Sequence, residues 1–447
     1  MDFTLPKEVL DIFEKMEPAG YEIYLVGGAV RDLLLGKVVD DWDFTTNATP
    51  EQILEVFTDG FYDNKFGTVG IPAQSEDFDP HEITTYRTEH GYSDSRRPDK
   101  IEWGKSLQED LQRRDFTINA IAFNKKIIDP FGGQKDLDKK LIRAVGDPHE
   151  RFSEDALRLM RAVRIASELR FKIEDKTFEA IKTHAGLINK ISKERVRDEL
   201  LKIIMSPKPD EGILLLRDTE ILQEILPELE KAFGVEQKSP GRHHIYDVGT
   251  HLIMSLRYCK SDDAITKLAT LIHDIGKPST YKKLDTGTIT FYNHEVVGAR
   301  IAKQIAERLR LSAKQTEKLW RLIRWHQFVL TETQTDSAIR RFIRNVGLEN
   351  VEDMIHLRVA DRLGGGAKET SWRFEEFKKR LIEVQKQPFS VRDLKIDGTD
   401  VMRELNLKPG PRVGEILNQL FKEVEEKRVE NEKELLLNKL KEFKQND

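Results

Sequence analysis

Apolar positions follow two different periods along this chain, with a change near residue 145. Before it, short apolar runs of strand length alternate with helical patterns. Residues 21–26 (YEIYLV) predict a strand that ends at two glycines, and residues 29–35 predict the helix that follows. Residues 118–123 and 127–129 predict two further strands around a Lys-Lys turn.

Helical spacing dominates from about residue 150 onward. Ser153 precedes residues 154–169, where leucine, methionine, valine and alanine recur every three residues, so we predict one helix capped by Ser153. The Glu- and Lys-rich residues at the C-terminus predict a final, exposed helix. This order indicates an α+β fold in which a mixed domain precedes all-helical ones.

Length and composition narrow the class of protein. The chain has 447 residues, more than one hydrophobic core normally organises, so about two to four domains are expected. Charged residues make up 34% and hydrophobic residues 38%, which is typical of a soluble globular protein, and we find no membrane-spanning run or signal peptide. The single cysteine, Cys259, excludes a disulfide framework and favours a cytoplasmic protein.

Charge is distributed unevenly. The net charge of −5 argues weakly against a nucleic-acid partner, but the local distribution matters more than the sum. Residues 151–205 contain thirteen basic and nine acidic residues, a local excess of four positive charges. An RNA-facing surface and a solvated helical face explain this excess about equally well.

Two glycines and two aspartates form the first candidate site. Gly27 and Gly28 follow a predicted strand and open a helix, where the backbone can approach a phosphate at the positive helix end. Asp41 and Asp43 lie two residues apart, so in a strand their carboxylates would face one side and repel each other unless a cation lies between them. Mg²⁺ suits such a site. By itself, however, an aspartate pair is more often an acidic turn with a capping role.

The combination of these motifs resembles a known family. Residues 27–32 (GGAVRD) followed by residues 41–46 (DWDFTT) resemble the polymerase-β-type nucleotidyltransferases, and more narrowly the class II tRNA nucleotidyltransferases and bacterial poly(A) polymerases. The resemblance implies catalytic, Mg²⁺-binding roles for Asp41 and Asp43, triphosphate contacts for Gly27, Gly28 and Arg31, and room for a third acidic group at Glu82.

Further motifs extend the resemblance. A carboxylate in the family's ribose-selecting motif can accept a hydrogen bond from a 2′-hydroxyl, which distinguishes RNA precursors from DNA precursors. Residues 91–99 (GYSDSRRPD) resemble the family's flexible loop, whose presence favours an enzyme able to add a terminal A. Residues 113–120 (RRDFTINA) resemble the ribose motif itself, which implies nucleotide contacts for Arg113, Arg114, Asp115 and Asn119. The alternative for Asp115 is a simple ion pair with a neighbouring arginine.

A base-reading motif is expected at residues 154–158 (EDALR). Asp155 and Arg158 would share one face of the predicted helix, with Arg161 assisting. Cytosine and adenine each present an amine donor and a ring acceptor, which a carboxylate and a guanidinium can match. An ordinary ion pair between the two residues is the alternative. Residues 191–199 (ISKERVRDE) match the last family motif and are predicted to brace this helix.

Histidines and aspartates in the second half form another candidate site around residues 273–278 (HDIGKP). Their order resembles the HD phosphohydrolase superfamily, which some bacterial tRNA nucleotidyltransferases carry as a fused domain. Any one of these histidines alone would more often be structural, but together they suit a divalent transition metal or Mg²⁺. The ligands that the resemblance implies are His251, His273, Asp274, His294, His326 and Asp361.

These observations predict a nucleotidyltransferase head over residues 1–145, a base-reading neck over 146–206, an HD-type helical body over 207–385 and a helical tail over 386–447. The function implied by the resemblance is template-independent addition of C and A from CTP and ATP to the 3′ end of tRNA, with a second phosphohydrolase activity in the body.

Several alternatives stay open. The enzyme could be a poly(A) polymerase, or it could add only A or only C-C to tRNA. A metal-dependent phosphohydrolase with an RNA-binding head is the alternative of another class. No membrane partner is expected, and the sequence leaves the oligomeric state open.

Overall fold

The structure is a computed structural model, and it describes residues 3–62, 67–73, 80–90, 100–103, 106–237, 245–328, 335–385, 391–426 and 428–444. All structural statements below concern these residues. The predicted flexible loop over residues 91–99 lies outside them.

The N-terminal part is built on one mixed sheet. Its strands are β1 (Ile23–Val26), β2 (Asp43–Thr46), β3 (Phe61–Tyr62), β4 (Thr68–Ile71), β5 (His81–Thr85), β6 (Arg87–His90), β7 (Lys100–Trp103), β8 (Ala122–Asn124) and β9 (Lys126–Ile128). Seven of them form the sheet in the order β3-β4-β5-β2-β1-β8-β9, and β6 and β7 pair separately. Strands β2 and β5 run parallel, while the other neighbours in the sheet are antiparallel.

Short helices cover the sheet. They are α1 (Lys7–Met16), α2 (Gly28–Leu34), α3 (Pro50–Val56), α4 (Leu107–Gln112) and α5 (Gly133–Asp138). Local sequence fixes their ends: Thr49 and Gln52 form a capping box at the start of α3, where Pro50 also suits the first helical position. The apolar face of α1 packs into the same core as the strands.

The predictions for this part are largely confirmed. Strand β1 and helix α2 lie where the pattern places them, and Gly36 adopts a left-handed φ of +65° just after the helix. The strand predicted over residues 118–123 is wrong in its first half. Thr117–Asn119 form a 3₁₀ turn: the backbone N–H of Thr117 donates to the carbonyl oxygen of Arg143 at 2.9 Å, and the chain turns before β8 begins.

Helices make up nearly all of the remaining chain. In the neck region they are α6 (Pro148–Glu154), α7 (Leu157–Leu169), α8 (Asp175–His184) and α9 (Lys193–Met205), with the small parallel pair β10 (Leu141–Ile142) and β11 (Lys172–Ile173). They are followed by α10 (Pro209–Asp218), α11 (Ile221–Ile225), α12 (Pro227–Glu230), α13 (Val248–Tyr258), α14 (Ala264–Ile272), α15 (Lys277–Thr280), β12 (Lys282–Lys283), β13 (Ile289–Thr290), α16 (His294–Arg308), α17 (Ala313–Trp325), α18 (Asp336–Val346), α19 (Val351–Gly364) and α20 (Trp372–Gln385). The tail contains α21 (Gly398–Leu405), α22 (Pro411–Glu425) and α23 (Lys433–Lys444).

The single helix predicted after Ser153 is wrong. Asp147 caps α6 by accepting from the backbone N–H of His149 at 2.8 Å, and Pro148 suits the first helical position, so this helix starts earlier and ends at Glu154. Asp155 is extended, with φ −135° and ψ 103°, and α7 starts only at Leu157. Ser153 therefore lies inside α6 and caps nothing.

One apolar core runs from the sheet through the neck helices into the body, and the tail packs a second core of its own. Leu436 and Leu440 of α23 are buried in that second core, so the expectation of a simply exposed last helix is wrong. The sheet followed by helices confirms the predicted α+β class, while the domain boundaries stay predictions. None of the described helices is long and apolar enough to cross a membrane.

Five helices of the body converge on one point. Helix α13 packs on α14 and α19, and α14 also packs on α17. Helix α16 comes very close to the turn after α14: a side chain added at Gly276 would place its Cβ 2.1 Å from the carbonyl oxygen of His294 and 2.6 Å from the nitrogen of Gly298. Glycine at position 276 therefore fixes where α16 and its first residue, His294, can lie.

Candidate functional site

The turn between β1 and α2 lies directly against the aspartate motif. Gly27 has a φ of +72°, and a Cβ there would lie 3.2 Å from Arg114 Nη1 and 3.4 Å from Asp43 Oδ2. A Cβ on Gly28 would lie 3.5 Å from Arg31 Nη2. The predicted glycine, arginine and aspartate residues are thus brought together at the N-terminal end of α2.

Asp43 is the first residue of β2, and Asp41 precedes the strand rather than lying in it. The two charges are nevertheless close: burial and then the carboxylate of Asp41 raise the pKa of Asp43 to about 6, against the opposing effect of Arg114 and Arg161. Glu82 on β5 is in register with Asp43, so its side chain leaves the same face of the sheet. This donor set fits Mg²⁺, which takes carboxylate oxygens and completes its coordination with substrate phosphates and water.

Arg31 connects the glycine turn to the ribose motif. Its guanidinium donates to both oxygens of Asp32, at 3.0 and 2.7 Å, and to Asn119 Oδ1 at 2.9 Å. Asn119 in turn donates to Asp115 Oδ1 at 3.1 Å. Arg31, Asn119 and Asp115 therefore form one hydrogen-bonded chain across the head.

Asp115 is buried and ion-paired with the neck. Arg161 on α7 donates to Asp115 Oδ2 through Nε at 2.8 Å and through Nη2 at 2.6 Å. Burial would raise the pKa of Asp115, but Arg161 lowers it to about 2, so the carboxylate is ionised. The other oxygen accepts from the backbone of Phe116 and from Asn119. These four bonds occupy the acceptor positions that a carboxylate offers.

Asp115 therefore does form an ion pair with an arginine, as the alternative interpretation held, but its partner is Arg161 of α7 and not an arginine adjacent in sequence. Arg161 binds the ribose motif, and the nearby Arg113 and Arg114 instead pair with Asp110, at 2.5 and 3.3 Å. Asp110 is fully buried, and it was not among the predicted site residues. The available clue was its position on α4, three and four residues before Arg113 and Arg114, which follow the helix.

The base-reading pair is held differently from the prediction. Asp155 and Arg158 do not share a helical face, and the i,i+3 ion pair offered as an alternative is not formed between them. Asp155 accepts from the backbone of Leu157 at 3.0 Å and from Arg195 of α9 at 3.1 Å. Arg158 pairs with Glu154 at 2.7 Å and donates to the carbonyl oxygen of Arg113 at 2.9 Å.

Helix α9 holds this part of the neck in place, as predicted. Besides the bond from Arg195 to Asp155, Glu199 of α9 pairs with Arg164 of α7 at 2.8 Å. Asp155 and Arg158 thus have separate partners, and neither neutralises the other.

The predicted histidines and aspartates of the body meet in one buried cluster. Nε2 of His251 and Nε2 of His273 lie 3.3 Å apart and each 3.4 Å from Asp274 Oδ2. Asp361 Oδ1 lies 3.3 Å from the first nitrogen and 3.6 Å from the second.

A second group shares Asp274. Its Oδ1 lies 3.1 Å from Nε2 of His294 and 3.4 Å from Nε2 of His326. Donor atoms bound to one ion with bonds of roughly 2.1 Å lie about 3.0 to 3.4 Å apart, so all of these separations except the 3.6 Å between His273 and Asp361 fit a transition-metal ion. Asp274 lies between the two groups and offers one oxygen to each.

The imidazole rings are oriented by the backbone. Nδ1 of His273, His294 and His326 lies 2.8, 2.8 and 2.7 Å from the carbonyl oxygens of Thr270, Phe291 and Ile323, respectively. A carbonyl oxygen can only accept, so each Nδ1 must carry the proton, and each Nε2 then presents its lone pair when the ring is neutral. This is the usual support for a metal-binding histidine.

Two cations adjoin this cluster and were not assigned a role from the sequence. Lys277 Nζ lies 2.6 Å from Asp274 Oδ2, and Arg358 Nη1 lies 2.7 Å from Asp361 Oδ2. Burial would raise the pKa of Asp274, but Lys277 and His273 hold it well below its usual value. Asp274 is therefore a carboxylate at neutral pH.

The raised pKa of Asp43 leads to a stability prediction. In metal-free protein, Asp43→Asn is expected to raise the thermal unfolding midpoint at about pH 7.5 by about 2–4 °C, because it removes an unfavourable buried charge. The advantage shrinks toward about pH 5, since Asp43 itself takes up a proton near its folded-state pKa of about 6. Thermal unfolding in the presence of a chelator measures the stabilisation at each pH, with the exposed Asp59→Asn as the control. An Asn variant no more stable at the higher pH would contradict the assignment.

Comparison with known proteins agrees with this architecture. Residues 23–143 match the family model of the poly(A) polymerase head domain, residues 170–233 match that of the RNA and SrmB-binding site of polymerase A, and residues 297–440 match that of tRNA nucleotidyltransferase domain 2.

Similar full-length proteins are known. The chain is 35% identical to a CCA-adding enzyme of Ligilactobacillus salivarius, over 97% of this chain and 96% of that one. It is 34% identical to a CCA-adding enzyme of Pediococcus pentosaceus, over 99% and 100%. The crystal structure of the Bacillus stearothermophilus CCA-adding enzyme in complex with CTP is similar with a TM-score of 0.72 at 28% identity, covering 99% of both chains. The chain therefore belongs to the CCA-adding enzymes, the class II tRNA nucleotidyltransferases.

Proposed function

We propose that this enzyme adds C and A from CTP and ATP to the 3′ end of tRNA, with Asp41 and Asp43 as its catalytic residues. The observation that carries the proposal is the separation of Asp155 from Arg158. Each has its own partner, Arg195 or Glu154, so the two can present acceptor and donor groups to a base instead of to each other.

Residues of the head would bind the triphosphate, the ribose and the catalytic metal. The backbone of Gly27 and Gly28 at the N-terminal end of α2 would receive the triphosphate, and Arg114 beside it adds a positive charge. Asp115 would accept the ribose 2′-hydroxyl in place of one of its bonds from Arg161, since all its acceptor positions are in use. Mg²⁺ held by Asp41 and Asp43 would polarise the attacking hydroxyl and stabilise the leaving pyrophosphate.

An extension assay tests this activity directly. A tRNA transcript without its terminal C-C-A is expected to gain two nucleotides with CTP alone and three with CTP and ATP together. Asp41→Asn should slow incorporation by roughly a thousandfold or more, since it removes a carboxylate at the reacting centre, while the exposed Asp59→Asn should leave the rate unchanged. Long A tails on unrelated RNA would identify a poly(A) polymerase instead, and products that stop after C-C or that gain only A would identify the narrower enzymes.

The base-reading role predicts a change in selectivity. Arg158→Met is expected to lower the preference for CTP and ATP over UTP and GTP by roughly tenfold or more, because the ring acceptor of the base loses its donor. Lys176→Met, on the exposed surface of α8, is the control. Single-nucleotide incorporation with each triphosphate gives the ratio, which partial misfolding would not change. An unaltered ratio would exclude Arg158 from base selection.

We propose in addition that the body binds two divalent cations and hydrolyses phosphate esters. Support comes from the two donor groups that share Asp274 and from the backbone carbonyls that orient three of the histidines. A cation bound there would supply an activated water molecule and polarise the phosphate. The metal is a transition metal or Mg²⁺, and imidazole-rich donors favour the former.

Metal content and activity can be measured together for this second site. Asp274→Ala is expected to lose most of the transition metal found per chain by elemental analysis and roughly a hundredfold or more of any p-nitrophenyl phosphate hydrolysis. Nucleotide addition to tRNA should continue, because the head is a separate site. Asp262→Ala, which changes an exposed neighbour, is the control. Unsubstituted protein that neither retains nor takes up metal would overturn the proposal.

A further inference from the structure

Asn119 is a buried amide whose oxygen and nitrogen both form hydrogen bonds to charged side chains. Its Nδ2 donates to Asp115 Oδ1 at 3.1 Å, and its Oδ1 accepts from Arg31 Nη1 at 2.9 Å. A guanidinium can only donate and an ionised carboxylate can only accept, so a flipped amide would place like groups together at both ends. Arg31 and Asp115 therefore allow a single orientation of the Asn119 side chain.

The oxygen of Asp115 that Asn119 contacts is not the one that Arg161 contacts. Oδ1 accepts from Asn119 and, at 2.8 Å, from the backbone N–H of Phe116. Both bonds from Arg161 go to Oδ2. A ribose hydroxyl that replaces one bond from Arg161 would therefore be accepted by Oδ2. Because Oδ1 keeps its two bonds during this exchange, Asn119 and Phe116 hold the carboxylate in place while Oδ2 changes partners.

Arg31 is itself held by the residue that follows it. Asp32 accepts from Nε of Arg31 at 3.0 Å and from Nη2 at 2.7 Å, and this two-bond contact fixes the plane of the guanidinium. Arg31 thus has a carboxylate of its own, whereas Arg113 and Arg114 share Asp110. This difference favours an orienting role for Arg31 over a contribution of charge to triphosphate binding.

We propose that Arg31 is a positioning residue for ribose selection: through Asn119 it holds Asp115 so that the enzyme prefers a nucleotide with a 2′-hydroxyl. The proposal rests on the function proposed above and gives Arg31 a role in sugar recognition, where the family resemblance implied a triphosphate contact. A site built to hydrogen-bond a substrate hydroxyl rejects the analogue that lacks it, because polar groups of the site are then left unpaired. This rejection depends on a carboxylate held in position by the residues behind it.

The preference for ribose can be measured with a tRNA transcript that lacks its terminal C-C-A. The readout is the ratio of kcat/KM for CTP to kcat/KM for dCTP, because partial misfolding lowers both values alike and leaves their ratio unchanged. Arg31→Met removes the guanidinium donors but keeps a long side chain. It should lower the ratio by roughly tenfold or more, since Asn119 loses the contact that orients it.

A second variant tests the path through Asn119. Asn119→Ala should lower the ratio by at least as much as Arg31→Met does. The two changes combined should lower it no further than Asn119→Ala alone, because Arg31 acts on the ribose site only through Asn119. Effects that multiply in the combined variant would show independent action and would contradict this path.

Two control variants separate the sugar from the triphosphate. Arg114→Met changes the arginine beside the glycine turn, so it should slow the incorporation of CTP and dCTP to a similar extent and leave their ratio unchanged. Lys176→Met, on the exposed surface of α8, should change neither rate.

The outcomes separate this inference from the function on which it rests. If both rates fall in Arg31→Met but the ratio is kept, Arg31 acts on the triphosphate and the inference is overturned while the proposed function stands. Unsubstituted protein that adds C but shows no preference for CTP over dCTP overturns the inference as well. If the unsubstituted protein adds neither C nor A to tRNA, the proposed function has failed first.

Discussion

The buried ion pair between Asp115 and Arg161 is the interaction on which the arrangement of head and neck depends. It joins the 3₁₀ turn of the sheet domain to helix α7, with both guanidinium bonds to one oxygen at 2.8 and 2.6 Å. Removing Arg161 would leave the buried charge of Asp115 uncompensated, which typically costs about 3–5 kcal/mol. The pair therefore fixes where α7 lies, and through Asn119 it also fixes Arg31 beside the glycine turn.

The same principle, a buried or half-buried charge held by a partner on another turn or helix, recurs through the active region. Asp110 holds Arg113 and Arg114, and Arg195 holds Asp155. Each group is oriented before a ligand arrives, so less conformational freedom is lost on binding. The exception is Asp43, because burial and the carboxylate of Asp41 raise its pKa by more than Arg114 and Arg161 lower it. A metal cation bound by Asp41 and Asp43 would offset the charge that these two arginines leave uncompensated.

The elements that could be predicted from the sequence are those whose bounds are determined by residues close by in the chain. The strand, glycine turn and helix at the start of the head follow from periodicity and glycine alone, and six ligand-type residues of the body meet as their order implied. The break at Asp155 was not predictable from periodicity, because helical spacing continues through it and the competing start at Asp147 and Pro148 decides where the first helix ends. Arg161, the partner of Asp115, lies 46 residues away in the chain. This contact depends on tertiary packing, so no local sequence pattern predicts it.

Asp274 lies between two groups of metal-ligand atoms in the body, and the two groups differ in their number of donors. One oxygen faces His251 and His273, where Asp361 adds a fourth donor, and the other faces only His294 and His326. The protein thus offers four donors on one side and three on the other, drawing on the same carboxylate. If the body binds metal as proposed, the side with four donors should hold its ion more tightly than the side with three, so the first ion to bind would lie beside His251.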